Sequence, residues 1–279
     1  MKIILRSLIL IFICHSIGIQ AQRKPKIKGN RDVIEVSESL PPFSAIELRD
    51  DLDIVLKRAP GESYQITADD NLIDVLKFEV ENDVLVVSSF YQITAKKELS
   101  IQIGYVQLNQ VTLLDGRIST AEGERINSEE LVIQAEGLSR IKLDADAGQL
   151  SLNMQDNSRG NFTLTADSLS LQLKHKSEAT VYANTFSGKM YLKDNALLQI
   201  DGTSNSLELM SKDNAKIRAV DFAADRLSVT LAGSSDARIM ALEHIELNLT
   251  EKARCYLFGD PEISLLTFKD SAELFKRNK

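Results

Sequence analysis

Leucines recur along the chain with a 19-residue period, and the columns of residues beside them repeat with the same period. When the segments starting at residues 131, 150, 169, 188 and 207 are aligned, two columns are apolar with a single exception. These columns contain Leu131, Leu150, Leu169, Gly188 and Leu207, then Ile133, Leu152, Leu171, Met190 and Leu209. The column between them is mostly polar, and this alternation is typical of a β-strand with one buried face.

A second apolar stripe follows in each repeat. Its two columns are Ile141, Gly160, Ala179, Leu198 and Ile217, then Leu143, Phe162, Val181, Ile200 and Ala219. A column of small residues lies between the stripes and consists of Ser139, Ser158, Ser177, Ala196 and Ala215. Small side chains at this position are typical of a tight corner at which successive coils approach closely.

A period of this length is typical of a solenoid, in which each unit buries its apolar face by stacking on the next. With occasional 20-residue repeats the pattern extends over residues 107–268 and predicts about eight coils. Two-residue hairpin turns are missing, so each strand is expected to pair in parallel with its equivalent one coil away. The predicted fold is therefore an all-β chain with a parallel β-helix, right-handed by the general crossover preference, rather than a leucine-rich-repeat horseshoe.

Residues 31–106 do not follow the period and are typical of short alternating strands separated by turn residues. We expect an antiparallel or mixed β region that caps the first coil, because an uncovered coil exposes unpaired backbone groups. The segment from Asn71 to Lys77 is expected to form one helical turn or a crossover. At the other end, residues 269–279 are expected to form a tail in which Ala272 to Phe275 is the candidate cap.

The first residues are typical of a secretory signal peptide. Lys2 and Arg6 precede a mostly apolar run, and Ala21 precedes the expected cleavage site. We therefore predict a signal peptide over residues 1–21, a linker over 22–30, and a location in the periplasm, at the outer membrane or at the cell surface. Lipid attachment at Cys14 is not favoured, because Ile13 is not the small residue that a lipidation motif places there. No other apolar run is long enough to cross a membrane.

The mature chain is acidic. Its formal net charge of −7 becomes −9 when residues 1–21 leave, because they contain two basic residues and no acidic one. No basic stripe is visible along the sequence, so a nucleic acid is not an expected partner. The remaining cysteine, Cys255, alternates in phase with Ala253 and Leu257 and is predicted to be a buried apolar residue.

Motifs in the N-terminal region carry a resemblance to a known family. They are Leu40-Pro41-Pro42-Phe43-Ser44-Ala45-Ile46-Glu47-Leu48, Asp53-Ile54-Val55-Leu56, the run from Tyr64 to Ile73, and Val84-Leu85-Val86. These runs resemble the head domain of the GIN-domain family, described as auto-transporter adhesins of the Bacteroidota cell envelope. The resemblance covers about residues 29–270 and implies an exported, β-helical, adhesin-like protein.

One corner column carries candidate metal ligands, Asp156, His175, Asp194 and Asp213, which follow each other with the same period as the leucines. Their side chains are expected to form a row along the solenoid axis, about 4.8 Å apart. One interpretation is a carboxylate–imidazole row that binds a divalent cation or a sugar. The other is a row of polar turn residues, each bonded to its own loop. At this spacing, adjacent carboxylates repel unless they are solvated, hydrogen-bonded or bridged by a cation.

An outward polar column offers candidate ligand-binding residues. They are Gln134, Asn153, Gln172 and Tyr191, with Tyr182 expected nearby. Stacked amides stabilise a flat sheet, and the same surface could present hydrogen-bonding groups to a glycan or an envelope protein.

The sequence shows no catalytic constellation. A polysaccharide lyase or hydrolase needs paired carboxylates, or a base beside a bound cation. Asp144 and Asp146 point outward on one strand, but Thr163 and Thr165 occupy the aligned positions. We therefore predict a non-catalytic, cofactor-free envelope module that binds a glycan or a protein through its flat faces. The alternatives are a carbohydrate-active enzyme that uses the corner column with calcium, and a purely structural envelope component.

Overall fold

The structure, a computed structural model, describes residues 24–278, and the predicted signal peptide lies outside them. The N-terminal strands are β1 Lys26–Lys28, β2 Val33–Ser39, β3 Ala45–Leu48, β4 Asp53–Arg58, β5 Ser63–Asp69, β6 Leu76–Glu81, β7 Val84–Ser89, β8 Gln92–Ala95 and β9 Leu99–Tyr105. A short helix, α1, covers Asp70–Ile73. The later strands are β10 Gln110–Leu113, β11 Arg117–Thr120, β12 Ile126–Ala135, β13 Arg140–Met154, β14 Arg159–Leu173, β15 Glu178–Leu192, β16 Leu197–Ser211, β17 Lys216–Leu231, β18 Asp236–Leu249, β19 Arg254–Phe258, β20 Glu262–Phe268 and β21 Glu273–Lys276.

Residues one period apart lie side by side in a parallel ladder. Ile133 pairs with Leu152, Leu152 pairs with Leu171, and the same offset holds from β13 to β16. The chain forms a nearly all-β solenoid of about nine turns. The predicted parallel β-helix is therefore confirmed.

Each long strand bends once, and the bend divides it into two arms. In β14 the inward positions alternate up to Ala166, two exposed residues follow at Asp167 and Ser168, and the alternation resumes at Leu169. Two consecutive outward residues shift the alternation and turn the chain around the core. We call residues 159–166 and their equivalents in other coils the first arm, and 168–173 and their equivalents the second arm.

The inward side of the bend carries a row that the two-stripe alignment did not separate. Thr185 and Ser204 are buried there, although their hydroxyl groups are polar. The hydroxyl of Thr185 donates to the backbone oxygen of Ser187 at 2.9 Å, and that of Ser204 donates to Ser206 at 2.8 Å. Because each hydroxyl has a backbone acceptor at the bend, it is buried without an unsatisfied polar group.

The four-residue corner after the second arm contains the predicted small column. Ser158 and Ser177 are buried at the corner, and their hydroxyls donate to the backbone oxygens of Gln155 and Lys174. In other coils Ala196 and Ala215 fill the same place. A larger side chain would have to enter the packed interior between two coils, which explains the restriction to small residues.

The N-terminal region is mixed β, as predicted, but part of it belongs to the parallel ladder. β3 pairs in parallel with both β7 and β10, and β4 pairs in parallel with both β9 and β11. The coil formed by β3 and β4 therefore lies between the strands β7 and β9 on one side and β10 and β11 on the other. The outermost coil thus follows β3 and β4 in the sequence, and the parallel ladder begins before residue 107. The repeat period could not show this, because Ala45 and its partner Gln110 are several periods apart in the sequence.

Antiparallel strands cover this end of the solenoid. β5 pairs with β2 and β9, and β6 pairs with β7, all in antiparallel fashion. Of the two structures expected for Asn71 to Lys77, the helical turn is present: α1 covers Asp70–Ile73, and β6 begins at Leu76. At the opposite end the expected tail continues the ladder, since β21 pairs in parallel with β19. The segment from Ala272 to Phe275, expected to cap the solenoid, thus adds a further strand to the parallel ladder and does not cover its end.

Candidate functional site

The predicted polar column forms one continuous row on the outer face of the second arm. Gln134 pairs with Asn153, Asn153 with Gln172, and Gln172 with Tyr191. These four side chains are partly exposed. The row continues at Met210, which is 37% exposed. The structure therefore brings these predicted residues together on a single surface.

Serines extend this surface toward the bend. We define the serine–amide face as the amide row plus the outward residues Ser151, Ser168, Ser170, Ser187 and Ser206. Lys189 and Glu208 also lie on it and form an ion pair of 3.2 Å. A shallow groove of about 320 Å³ runs past Tyr191 and Met210, and a second of about 390 Å³ lies over Gly188. The face is thus flat, hydroxyl-rich and close to neutral.

Tyr182 does not belong to this surface. It lies on the first arm, between Thr163 and Asp201 of the adjacent coils, and is 50% exposed. The bend at residues 186–187 separates its arm from that of Tyr191. The expectation that Tyr182 lies near the amide row is therefore wrong, because the sequence alignment did not reveal the bend.

The predicted corner column shares one unusual backbone conformation. Asp156, His175, Asp194 and Asp213 have φ angles of 61°, 59°, 63° and 62°. Few residues other than glycine adopt this left-handed region, and aspartate and histidine are among those enriched there. The residue types of the column are thus explained first by the turn they form.

The side chains of this column bind the backbone of the preceding coil. The N–H of His175 donates to Asp194 Oδ2 at 3.2 Å, and the N–H of Asp194 donates to Asp213 Oδ2 at 3.4 Å. The N–H of Asp156 donates to His175 Nδ1 at 3.3 Å. The pattern reappears in later coils that the alignment had not included, where Glu251 and Asp270 accept equivalent bonds. Each side chain therefore satisfies an N–H group one coil away.

These contacts favour the interpretation of polar turn residues bonded to the backbone. His175 Nδ1 lies 3.0 Å from Asp156 Oδ1, and both side chains are about half exposed. Among residues 24–278, no three His, Cys, Asp or Glu side chains are arranged so that they could hold a metal ion. Cation binding by this row stays a prediction.

Asp144 and Asp146 do not form the acidic cluster across coils that a hydrolytic site would need. Asp146 forms an ion pair of 2.7 Å with Arg125, and its neighbour in the next coil is Thr165. Asp144 lies opposite Thr163.

Cys255 is fully buried, as predicted, and burial raises the pKa of its thiol to about 12. A protonated, inaccessible thiol is a poor nucleophile.

The structure also assembles a basic row that the sequence analysis missed. Arg117, Arg140 and Arg159 occupy equivalent positions on three successive coils. The interval from Arg117 to Arg140 is longer than that from Arg140 to Arg159, so a fixed period does not align all three. Although no basic stripe is visible along the sequence, a short basic row therefore forms across three coils.

A family model matches most of this solenoid. It is described as "Putative auto-transporter adhesin, head GIN domain" and matches residues 42–261. The chain belongs to this family. The resemblance inferred from the N-terminal motifs is thereby confirmed, and the GIN domain covers both the mixed N-terminal region and the regular coils.

Two crystal structures, each of a "putative adhesin", are similar to this GIN-domain chain. The protein from Parabacteroides merdae has a TM-score of 0.66 and 16% identity, and the match covers 90% of this chain and 100% of the other. The protein from Parabacteroides distasonis has a TM-score of 0.65 and 17% identity, with the same coverage. A "putative lipid binding protein" from Parabacteroides distasonis has a TM-score of 0.54 and 16% identity and covers 90% and 96%. At these identities the likeness shows the fold alone.

No curated protein matches the chain. In the part of the chain that the structure describes, no helix is long and apolar enough to cross a bilayer.

Proposed function

We propose that this GIN-domain chain is an exported, non-catalytic, adhesin-like module of the cell envelope. In this proposal it binds a glycan or an envelope protein through the serine–amide face. The observation that carries the proposal is the alignment of Gln134, Asn153, Gln172 and Tyr191 in one partly exposed row. Membership of an adhesin family supports the role, and the predicted signal peptide supports export.

The chemistry of the face suits a neutral, hydrogen-bonding ligand. Amides offer both donors and acceptors, and serine hydroxyls do the same within a small volume. Tyr191 and Met210 add apolar contact area beside the groove. Lys189 and Glu208, the charged side chains of the defined face, form an ion pair with each other, and Arg226 borders the groove over Gly188. A glycan, or a polar loop of a protein, matches this surface better than a lipid chain or a polyanion.

Two variants in two adjacent coils test which face binds. The Gln172→Ala/Tyr191→Ala protein removes central groups of the serine–amide face, whereas Tyr182→Ala removes a similar ring from the first arm. We expect wild type and Tyr182→Ala to give the same signals on a glycan array and in pull-downs from envelope extracts. The double variant should lose them by about tenfold or more. Equal loss in both variants, or no ligand for wild type, contradicts the proposal.

A second experiment tests for enzyme activity. The protein is incubated with neutral and acidic polysaccharides, with and without chelator, and newly formed reducing ends are measured. A non-catalytic module gives no new reducing ends in either condition. Turnover that is abolished by Asp194→Ala would instead establish the carbohydrate-active alternative. A purely structural component shows neither ligand nor turnover.

A further inference from the structure

The basic row lies on the outer face of the first arm, away from the serine–amide face. Arg117, Arg140 and Arg159 follow each other along the solenoid axis, and Asp53 and Glu178 occupy the next positions at its two ends. Adjacent coils of a parallel sheet lie about 4.8 Å apart, so the backbone positions of the three arginines lie within about 10 Å along the axis.

Neighbouring side chains shape the row into a shallow site. Lys142 lies two residues from Arg140 on the same face, and Asn161 stands beside Lys142 in the next coil. Together with Ser119 they line a groove of about 370 Å³. Arg140 Nη1 donates to the backbone oxygens of Leu138 and Ser139 at 2.8 and 2.9 Å. Nη1 also lies 3.2 Å from the backbone oxygen of Asn157. The central guanidinium is thereby held in place, and among the described residues no hydrogen-bond partner contacts its Nε or Nη2.

The acidic residues at the ends of the row neutralise it only in part. Arg117 Nη1 lies 3.8 Å from Asp53 Oδ2, and Arg159 Nε lies 3.1 Å from Glu178 Oε2. The side chains in both pairs are between 44% and 67% exposed. Exposed ion pairs contribute little to stability, whereas like charges placed directly opposite each other on adjacent strands repel. An anion that bridges the guanidinium groups would relieve this repulsion.

We propose that the basic row binds the anionic groups of an acidic polysaccharide, through carboxylate or sulfate oxygens. Guanidinium groups form paired hydrogen bonds with such oxoanions. The groove is open and the row is extended, so it suits a polymer with repeated charges rather than an enclosed small molecule. The inference adds a second ligand class on a second face, and it does not depend on binding by the serine–amide face.

The test compares two charge-matched double variants. Arg140→Gln/Lys142→Gln removes two positive charges from the basic row. Lys216→Gln/Arg218→Gln removes two from the same two columns in a later coil, where Leu197 and Asp236 flank Lys216. Binding of polygalacturonate and heparin is measured by calorimetry at two salt concentrations, with dextran as a neutral polymer and oligo(dT) as a nucleic-acid polyanion. Thermal unfolding establishes that each variant is folded.

We expect wild type to bind polygalacturonate or heparin more weakly as salt rises, and not to bind dextran. The variant in the row should lose about tenfold or more in affinity, while the control pair should change by less than about threefold. Because Arg140 also contacts the corner backbone, Arg117→Gln/Arg159→Gln provides a second test without that contact. Equal losses in row and control variants, no binding of either acidic polymer, or equal affinity for oligo(dT) would overturn the proposal.

Discussion

A left-handed residue at a corner leaves an N–H group that no strand partner satisfies, and where the next coil offers a polar side chain at this position, that side chain supplies the acceptor. The N–H groups of Asp156, His175 and Asp194 all obtain an acceptor in this way. Column position 233 is glycine, and a Cβ atom there would lie 2.6 Å from the backbone nitrogen of Asp213. The column therefore has aspartate, glutamate or histidine where an acceptor fits, and glycine where the backbone approaches too closely.

Substitution of Asp194 distinguishes backbone bonding from cation binding. Asp194→Ala removes the acceptor of the His175 N–H and places alanine in a left-handed conformation, so we expect a loss of about 1–3 kcal/mol in unfolding free energy. Asp194→Asn keeps an oxygen acceptor and a residue type that tolerates this conformation, and should be nearly neutral. Urea unfolding measures both.

The same experiment is repeated with excess calcium chloride and with EDTA. If the column only bonds the backbone, neither addition changes the stability of the wild type. Stabilisation by calcium that disappears in Asp194→Asn would show that the cation-binding interpretation of the corner column is correct.

Cys255 provides a residue-level probe of folding. Burial, with a smaller effect of the Asp236 carboxylate, raises the pKa of its thiol to about 12, so the thiol is protonated at neutral pH. We expect no reaction of the folded protein with a thiol reagent and full reaction after denaturation. A Ser234→Cys variant places a thiol at an exposed corner and serves as the reactive control. Rapid labelling of Cys255 in the native protein would contradict its placement in the core.

Among the elements, one buried carboxylate adds side-chain hydrogen bonds to the strand pairing of the N-terminal region. Asp69, at the end of β5, accepts hydrogen bonds from the N–H groups of Lys97 at 3.0 Å and Glu98 at 3.3 Å. A Cβ atom on Gly29 would collide with this carboxylate, so the first described segment packs closely over it. Asp69 thus joins β5 to the chain that leads into β9.

Protonation of Asp69 should loosen this region. The backbone N–H of Lys97 is the largest of the effects that lower the pKa of Asp69 below its ordinary 3.8. Because the folded value is the lower one, the stabilisation is complete above pH 3.8 and is lost as the pH falls through the folded pKa. We expect Asp69→Asn to destabilise the protein at pH 7 and to matter less in acid. Urea unfolding of wild type and Asp69→Asn at pH 7 and in acid tests this prediction. The exposed Asp74→Asn variant is the control and should have no effect at either pH.

The regular coils could be predicted from sequence because one local rule repeats there. The alternation around Leu150 and Leu169 predicts each strand, and the period predicts its partner, because each residue of these coils pairs with the residue one period away. The bend could not be predicted in the same way, because Thr185 and Ser204 are polar and yet point inward. The placement of β3 between two other coils depends on the pairing of Ala45 with Gln110. This pairing could not be predicted, because the two residues are not separated by the repeat period.

The two candidate faces show the same distinction. The amide row is visible in sequence because its members share the period of the leucines. The basic row is hidden because a longer coil separates Arg117 from Arg140, and only the register between β11 and β13 brings them together.

On the scale of the whole molecule, the stack behaves as a one-dimensional array in which each coil contacts its neighbours. Its two ends differ. Antiparallel strands close the N-terminal end, whereas within the described residues β20 pairs only with β18 and β21 only with β19. In β20, Ile263, Leu265, Leu266 and Phe268 are between 43% and 61% exposed. The last coil therefore has both unpaired backbone groups and apolar side chains at the surface.

This asymmetry predicts that opening begins at the C-terminal end. Hydrogen–deuterium exchange followed by mass spectrometry should show β20 and β21 exchanging about tenfold or more faster than β14 to β16, which have partners on both sides. Leu257→Ala in β19 should accelerate exchange in the neighbouring strands and leave β14 unchanged, because coupling passes through adjacent coils. Uniform exchange along the stack would mean that the solenoid opens as a single unit. Slow exchange confined to β20 would mean that another chain covers this edge in solution.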